Sequence, residues 1–483
     1  MKSIRVLSVA SEVFPLIKTG GLADVVGALP IALKAQDVDT CTLVPGYPAV
    51  LSSLRTATPV VEWAPFFGGQ ARVLKDSHGE LDLFVLDAPH FFARPGNPYL
   101  SPEDIDWPDN GTRFAALARM AANNGLGAIP GFVPDVVHAH DWQAGLAPAY
   151  LKYSRQRAPA TIMTVHNLAY QGRFPREMLS EFDLPAEAFT IEGVEYYGGI
   201  GFLKSGLRLA DRITTVSPTY AKDIQTDEGG MGLGGLLRER VGDLRGILNG
   251  IDTSVWKPGT DPHIADRYDA GQLQNRMANK AALQQRLGLE PSPDAFLLGV
   301  ISRMSWQKGL DLLLDNVPII VSEGMQLVLL GTGDADLQEM YRAAARAYPG
   351  KIAVLIGYDE GLAHLIQAGA DAVVVPSRFE PCGLTQLCAL RYGAVPIVSS
   401  VGGLQDTVID TGVIGQSQTG FKFSPVATEN LARTLRKAHT TFRDRAAWRR
   451  IQQNGMSTDV SWRERATRYA DLYREIVRPR PTS

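Results

Sequence analysis

Short apolar runs alternate with longer stretches of helical period from one end of this chain to the other, a pattern that predicts parallel strands covered by helices and an α/β class. In the first half the runs at 4–10, 81–86, 136–139, 161–165 and 213–216 each stop where polar residues or glycine begin. A second series at 296–301, 326–330, 352–356, 372–375 and 395–398 repeats the arrangement. Two doubly wound, Rossmann-like sheets are therefore expected. A turn-rich stretch at 249–262 separates the two series and predicts domains over 1–250 and 251–457, while 462–477 reads as a final helix.

With 483 residues the chain is long enough for two full cores, and 45% hydrophobic with 20% charged residues is a globular composition. Forty-eight basic residues against 51 acidic ones leave a net charge of −3, so neither nucleic acid nor an anionic membrane is an expected partner. Cys41, Cys382 and Cys388 are too few and too scattered for a disulfide framework or a zinc site, which fits a reducing cytoplasm. The amino terminus reaches Ser11-Glu12 before it builds an apolar signal region, and the longest apolar runs are strand-sized. A homo-oligomer is compatible with this composition.

Candidate chemistry gathers where predicted strands end. Behind the first strand stands Lys18-Thr19-Gly20-Gly21-Leu22-Ala23-Asp24. Two adjacent glycines let the backbone approach a bound anion, and the following helix adds its positive end; a plain strand-to-helix turn with a surface lysine is the alternative. In the second half Ser302-Arg303-Met304-Ser305-Trp306-Gln307-Lys308-Gly309 places two cations at a strand end, where arginine can grip phosphate bidentately and lysine acts as a point charge. The run Pro376-Ser377-Arg378-Phe379-Glu380-Pro381-Cys382-Gly383-Leu384-Thr385 sets a carboxylate at a strand-to-helix turn. Glu380 there suits sugar hydroxyls or a developing oxocarbenium, or merely the helix's positive end, and Gly383, Leu384 and Thr385 offer amides to phosphate. Cys382 reads as a small packing residue, since no histidine lies near it in sequence.

His140-Asp141-Trp142-Gln143 and His166-Asn167 follow two other strands of the first half, supplying the rings and polar groups that carbohydrate sites combine. Asp37-Val38-Asp39, Asp104-Ile105-Asp106 and Asp334-Ala335-Asp336 occur at chance frequency, so no metal is expected. Gly331-Thr332-Gly333 starts a dinucleotide fingerprint, but Asp336 fills the third glycine's place, which disfavours a nicotinamide enzyme. Ligands of doubly wound sheets lie beyond the strands' carboxyl ends, so two such domains placed face to face are expected to share a cleft.

In order and spacing, these motifs, together with Thr164-Val165-His166-Asn167 and Asn249-Gly250-Ile251-Asp252, resemble the bacterial glycogen synthase family over nearly the whole chain. The resemblance implies a GT-B arrangement, two Rossmann-like domains facing across a deep cleft, with the first domain completed by a carboxy-terminal helix within 458–483. It implies retaining transfer of glucose from ADP-glucose to the non-reducing end of an α-1,4-glucan such as glycogen, releasing ADP and needing no metal or other cofactor. By the same resemblance Arg303 and Lys308 hold the donor diphosphate, and Lys18, Gly20 and Gly21 close on the donor. Glu380 contacts the glucose, Asn249 touches the donor sugar and Tyr358 packs near adenine. Cys382, Gly383, Leu384 and Thr385 line the phosphates, His166, Asp141 and Trp142 line the sugar site, and Tyr99 borders it. Cys388, Val401 and Gln143 depart from residues frequent in the family without removing a charged group. The rival readings are a transferase using UDP-glucose with a small acceptor, and a non-catalytic nucleotide-sugar sensor.

Overall fold

The computed structural model describes residues 3–410 and 417–477; positions 1–2, 411–416 and 478–483, the last six within the expected carboxy-terminal helix, lie outside the described residues. The chain divides into two units, Met1–Asn249 with Trp462–Ser483, and Gly250–Ser461. The strands in chain order are β1 (Ile4–Val9), β2 (Val38–Pro45), β3 (Thr58–Phe66), β4 (Gly69–His78), β5 (Leu81–Asp87), β6 (Val136–His140), β7 (Ala160–Val165), β8 (Arg173–Phe174), β9 (Glu195–Tyr196), β10 (Gly199–Gly201), β11 (Arg212–Thr215) and β12 (Leu244–Gly246) in the first unit. The second unit holds β13 (Leu297–Ile301), β14 (Gln326–Gly331), β15 (Ile352–Ile356), β16 (Ala372–Val375), β17 (Val395–Ser399) and β18 (Phe421–Phe423).

In the first unit a nine-stranded sheet runs β12-β11-β7-β6-β1-β2-β5-β4-β3. Seven strands from β12 to β5 are parallel, and β4 and β3 add an antiparallel edge. The central strands are continuous apolar runs because both faces are covered; Val6, Leu7 and Val9 of β1 are all fully buried. One cover is made by the helix Gly21–Lys34, whose Val25, Leu29 and Leu33 pack with Ala466, Tyr469, Ala470 and Tyr473 of the final helix Arg463–Ile476. The three-to-four-residue spacing of those apolar positions makes one helix stripe, and the stripe ties the chain's end to the first unit. The hairpin β3–β4 and the strand β2 add to the strands read from the sequence.

The second unit's sheet runs β15-β14-β13-β16-β17-β18 and is parallel throughout. One face buries Leu298, Val300, Leu327 and Leu329 against helices that include Thr428–Arg443, and the other buries Leu297, Val328 and Leu330 against Glu360–Gly369. Both sheets reverse strand order at one point, between β1 and β6 in the first and between β13 and β16 in the second. At such switch points the loops leaving adjacent strands part to opposite faces and open a crevice. Among the described residues, no helix is long and apolar enough to cross a membrane.

Candidate functional site

In the second unit the loops following β13 and β16 flank the switch point and carry Arg303, Lys308 and Glu380. The Glu380 side chain is 7% exposed, its Oε2 accepting from Lys308 Nζ at 2.6 Å and from Ser377 Oγ at 2.9 Å. The two loops are knit by backbone and side chain. Arg378 N donates to Gln307 O at 2.8 Å, and the Arg378 guanidinium binds Asp311 and lies 4.7 Å from the centroid of Trp306. Met304 N donates to Thr332 O at 2.8 Å, so the Gly331-Thr332-Gly333 turn braces the Arg303 loop. Arg303 is exposed on that loop. Thr385 opens the helix Thr385–Tyr392 with Leu384 as its N-cap, leaving first-turn amides without intrahelical partners. Cys382 is buried, as a packing residue would be. Tyr358, following β15, is 72% exposed and gives its hydroxyl to the Glu360 carboxylate.

The first unit carries a second set at the carboxyl ends of its parallel strands, on both sides of its own switch point and out to the edge strand β12. Glu12 follows β1, Asp141 follows β6, His166 follows β7 and Asn249 lies beyond β12, all at carboxyl ends of parallel strands. Asp141 holds φ 54° and ψ −175°, backbone space that a side-chain-bearing residue enters only at a cost of about 1–3 kcal/mol. Its Oδ1 accepts the His166 amide at 2.7 Å, which fixes the two loops to each other. Asn249 is buried, and its Oδ1 has no hydrogen-bond partner among the described residues. Trp142 is packed edge-on to Phe114 at 5.1 Å and beside Phe174 and Phe202, so its ring serves the aromatic core as well as the loop.

The turn 18–21 departs from the sequence expectation in one respect. Its amides already face a carboxylate: Glu12 takes the Thr19 amide, the Thr19 hydroxyl at 2.7 Å and the Gly20 amide at 3.3 Å. Glu12 is 2% exposed and also accepts the Tyr99 hydroxyl, while Ser11 Oγ lies 2.8 Å from that same phenol. An internal anion thus fixes the turn, and Lys18, paired with Asp24 at 2.9 Å, remains its cation. Glu12 went unnoticed in the sequence because its partners lie 7, 8 and 87 positions away. The signal available was a carboxylate three residues beyond β1 and seven before Thr19 of the glycine turn.

Burial sets the charge states here. It pushes the Asp141 carboxyl up to about 7, against the opposing pull of the His166 and Asn167 amides. His138 and His166 are each pushed down to about 3 by burial, and His140 falls well below the usual histidine range. All three rings are therefore neutral at ordinary pH. They are linked, with His140 Nδ1 3.0 Å from His166 Nε2 and His138 Nδ1 2.8 Å from the Tyr473 hydroxyl. The His138 and His140 rings lie 4.2 Å apart between centroids, so these contacts tie the final helix to the His166 loop.

Gly402 and Gly403 belong with Glu380 in the second unit's set. A methyl group on either would overlap the backbone of Glu380 or Cys382, and Gly403 N donates to Glu380 O at 3.0 Å. Among the described residues no cluster of three or more His, Cys, Asp or Glu is placed to hold a metal ion. The second unit's set offers cations, a fixed carboxylate and the amides that open a helix; the first unit's set, taken by itself, offers neutral histidines and a buried asparagine oxygen.

Residues 5–239 match the family described as starch synthase catalytic domain, and residues 284–454 match glycosyl transferases group 1. The chain is 64% identical to glycogen synthase 2 of Bradyrhizobium diazoefficiens over 99% of its own length and 100% of the relative's. It is 61% identical to a glycogen synthase of Rhodopseudomonas palustris, covering 99% of each. Among solved structures, the catalytic domain of starch synthase IV from Arabidopsis thaliana, bound to ADP and acarbose, superposes with a TM-score of 0.89 at 31% identity, covering 98% of this chain and 99% of that one. Sucrose-phosphate synthase of Thermosynechococcus elongatus shares the fold at a TM-score of 0.61 and 18% identity, with 98% and 99% covered.

Proposed function

Because the chain belongs to the bacterial glycogen synthase family of retaining glycosyltransferases, we propose that it moves glucose from ADP-glucose to the non-reducing end of an α-1,4-glucan and releases ADP. The observation that carries the site assignment is the Lys308–Glu380 pair at the switch point of the second sheet, beside exposed Arg303 and the amides opening the helix Thr385–Tyr392. In this reading Lys308 and Arg303 neutralise the departing diphosphate, and the helix start adds amide donors. Stabilising that leaving charge supplies most of the acceleration. The assignment leaves the work of a metal to these cations, and it predicts turnover that a chelator does not change.

Glu380 suits hydroxyl binding better than nucleophilic attack. One oxygen is already shared between Lys308 and Ser377, which fixes the carboxylate and lowers its readiness to form a bond to C1. Retention then follows from return of the acceptor to the face that the diphosphate leaves. Neutral His166 offers Nδ1 to a sugar hydroxyl, and Asp141, held in a strained backbone, fixes the His166 loop. Lys18 and the Gly20 turn act on the donor, Asn249 offers its unpartnered oxygen, and exposed Tyr358 takes the base by stacking. The enzyme works in the cytoplasm in this reading.

The test is ADP release from ADP-glucose with and without glycogen, run beside UDP-glucose. Glycogen-dependent ADP release is expected. Its absence overturns the reading, and an equal rate with UDP-glucose overturns the donor assignment.

A further inference from the structure

The first unit carries an aromatic feature that none of the roles above uses. Strands β9 and β10 form a hairpin in the small sheet β8-β10-β9, with Tyr196 opposite Gly199 and a two-residue tip, Tyr197-Gly198. Both tip residues have positive φ, 48° and 78°. Such a turn selects asparagine, aspartate or glycine at its first position, and a bulky tyrosine there is a genuine outlier. Burial returns little to the misfit ring, because Tyr197 is 68% exposed.

The surroundings hold the ring in place. Gly198 N donates to Glu195 Oε1 at 2.7 Å, and Arg173 donates to the Tyr197 carbonyl. The Tyr196 ring lies 4.7 Å from the Tyr197 ring at 67°, and its hydroxyl donates to Met231 O at 3.4 Å. Gly232 passes beneath both rings: a methyl group there would come within 2.7 Å of the Tyr196 hydroxyl and 3.5 Å of the Tyr197 ring. Gln171, on the loop that begins at His166, binds the same Met231 carbonyl at 3.0 Å. A costly backbone, a supported exposed ring and a link to the sugar-binding loop occur together.

We infer that Tyr197, backed by Tyr196, is a stacking platform for an α-1,4-glucan chain, a binding position apart from the residues at the strand ends. The inference rests on the proposed glucan acceptor. A sugar ring presents C–H groups to an aromatic face and hydroxyls at its edge, and exposed Arg173 beside the tip supplies donors for those hydroxyls. A polymer reaches such a platform and a short acceptor need not, so the platform favours long chains over short ones.

Tyr197→Asn, which suits the turn, and Tyr197→Phe, which keeps the ring face, test this in the full-length protein. Affinity electrophoresis in glycogen without donor reads binding independently of turnover. Tyr197→Asn is expected to weaken retention about fivefold to tenfold, the size of one lost aromatic contact, and to raise the ratio of half-saturating glycogen to half-saturating maltotriose by a similar factor. Tyr197→Phe keeps most of both, and the melting temperature of Tyr197→Asn equals or exceeds the parent's because the strain is relieved. Unchanged glycogen retention in Tyr197→Asn, or no retention by the parent protein, overturns the inference. Retention that depends on Tyr197 without ADP release leaves the platform standing and refutes the proposed transferase reaction instead.

Discussion

Replacing Lys308 by methionine separates the two jobs that its position assigns to it. The Glu380 carboxylate is 7% exposed and holds Lys308 Nζ at 2.6 Å, with Ser377 Oγ as its other hydrogen-bond partner at 2.9 Å. Breaking a buried pair from one side costs about 3–5 kcal/mol because the remaining charge stays out of water. Lys308 itself is 24% exposed and Ser377 stays bonded, so the cost for Lys308→Met falls to about 2–3 kcal/mol. Glu380→Gln leaves a lysine that reaches solvent, and costs about 1 kcal/mol. The double variant removes both charges together, which predicts a coupling of about 2 kcal/mol between the two sites.

Activity follows a different rule. If Lys308 neutralises the leaving diphosphate, Lys308→Met loses about 10²–10³-fold in kcat, and adding Glu380→Gln restores none of it. Denaturant unfolding, followed on the second unit's transition, and ADP release at saturating glycogen read the two quantities separately. A stability loss below about 0.5 kcal/mol in Lys308→Met means that the pair is not formed in solution. A rate within tenfold of the parent refutes the diphosphate role, and rate recovery in the double variant refutes it equally.

Asp141→Asn is expected to remove a pH slope. The carboxyl ionises near 7 when folded and near 4 when unfolded, so the folded state holds the extra proton between these values and stability falls as pH rises through that window. Melting of variant against parent should then differ more, in the variant's favour, at about pH 8 than at about pH 5; a difference independent of pH contradicts the assignment. Gly20→Ala should leave stability within about 0.5 kcal/mol, because a methyl group there meets nothing within 4 Å and φ is −158°. The same change should raise the KM for donor several-fold if a phosphate must approach that backbone, and an unchanged KM rejects the approach. Glu12→Gln presents an amide to donors that need an acceptor on both oxygens, and should cost the first unit about 1–3 kcal/mol, read by thermal melting; a melting temperature equal to the parent's removes Glu12 as the organiser of the turn.

The sheets were legible because buried parallel strands leave continuous apolar runs, and the loops because polar residues interrupt those runs at the carboxyl ends. Lys308 and Glu380 could each be singled out from the sequence, 72 positions apart, but not their pairing. That depends on β13 and β16 being neighbours, which strand order decides and local pattern does not record. Glu12 was hidden for a related reason. Its four donors come from residues whose local sequence already had explanations of its own, a glycine turn and a tyrosine near the sugar site.

The glycine doublets show why a motif must be interrogated atom by atom. Gly20-Gly21 and Gly402-Gly403 each follow a strand and each open a helix. At Gly402 a side chain would strike the Glu380 carbonyl and at Gly403 the Cys382 backbone, so these glycines let one loop of the chain lie on another and fix the carboxylate from behind. At Gly20 a side chain would meet nothing, and the backbone conformation is one that any residue adopts. The fold of the first unit therefore supplies no packing reason for glycine at position 20. In the proposed reading that backbone stays bare for the donor's phosphate, which the KM of Gly20→Ala tests. The same two letters thus mark internal packing in one unit and, on the proposed function, external approach in the other, and only the second kind should tolerate alanine in a melting experiment while failing with substrate.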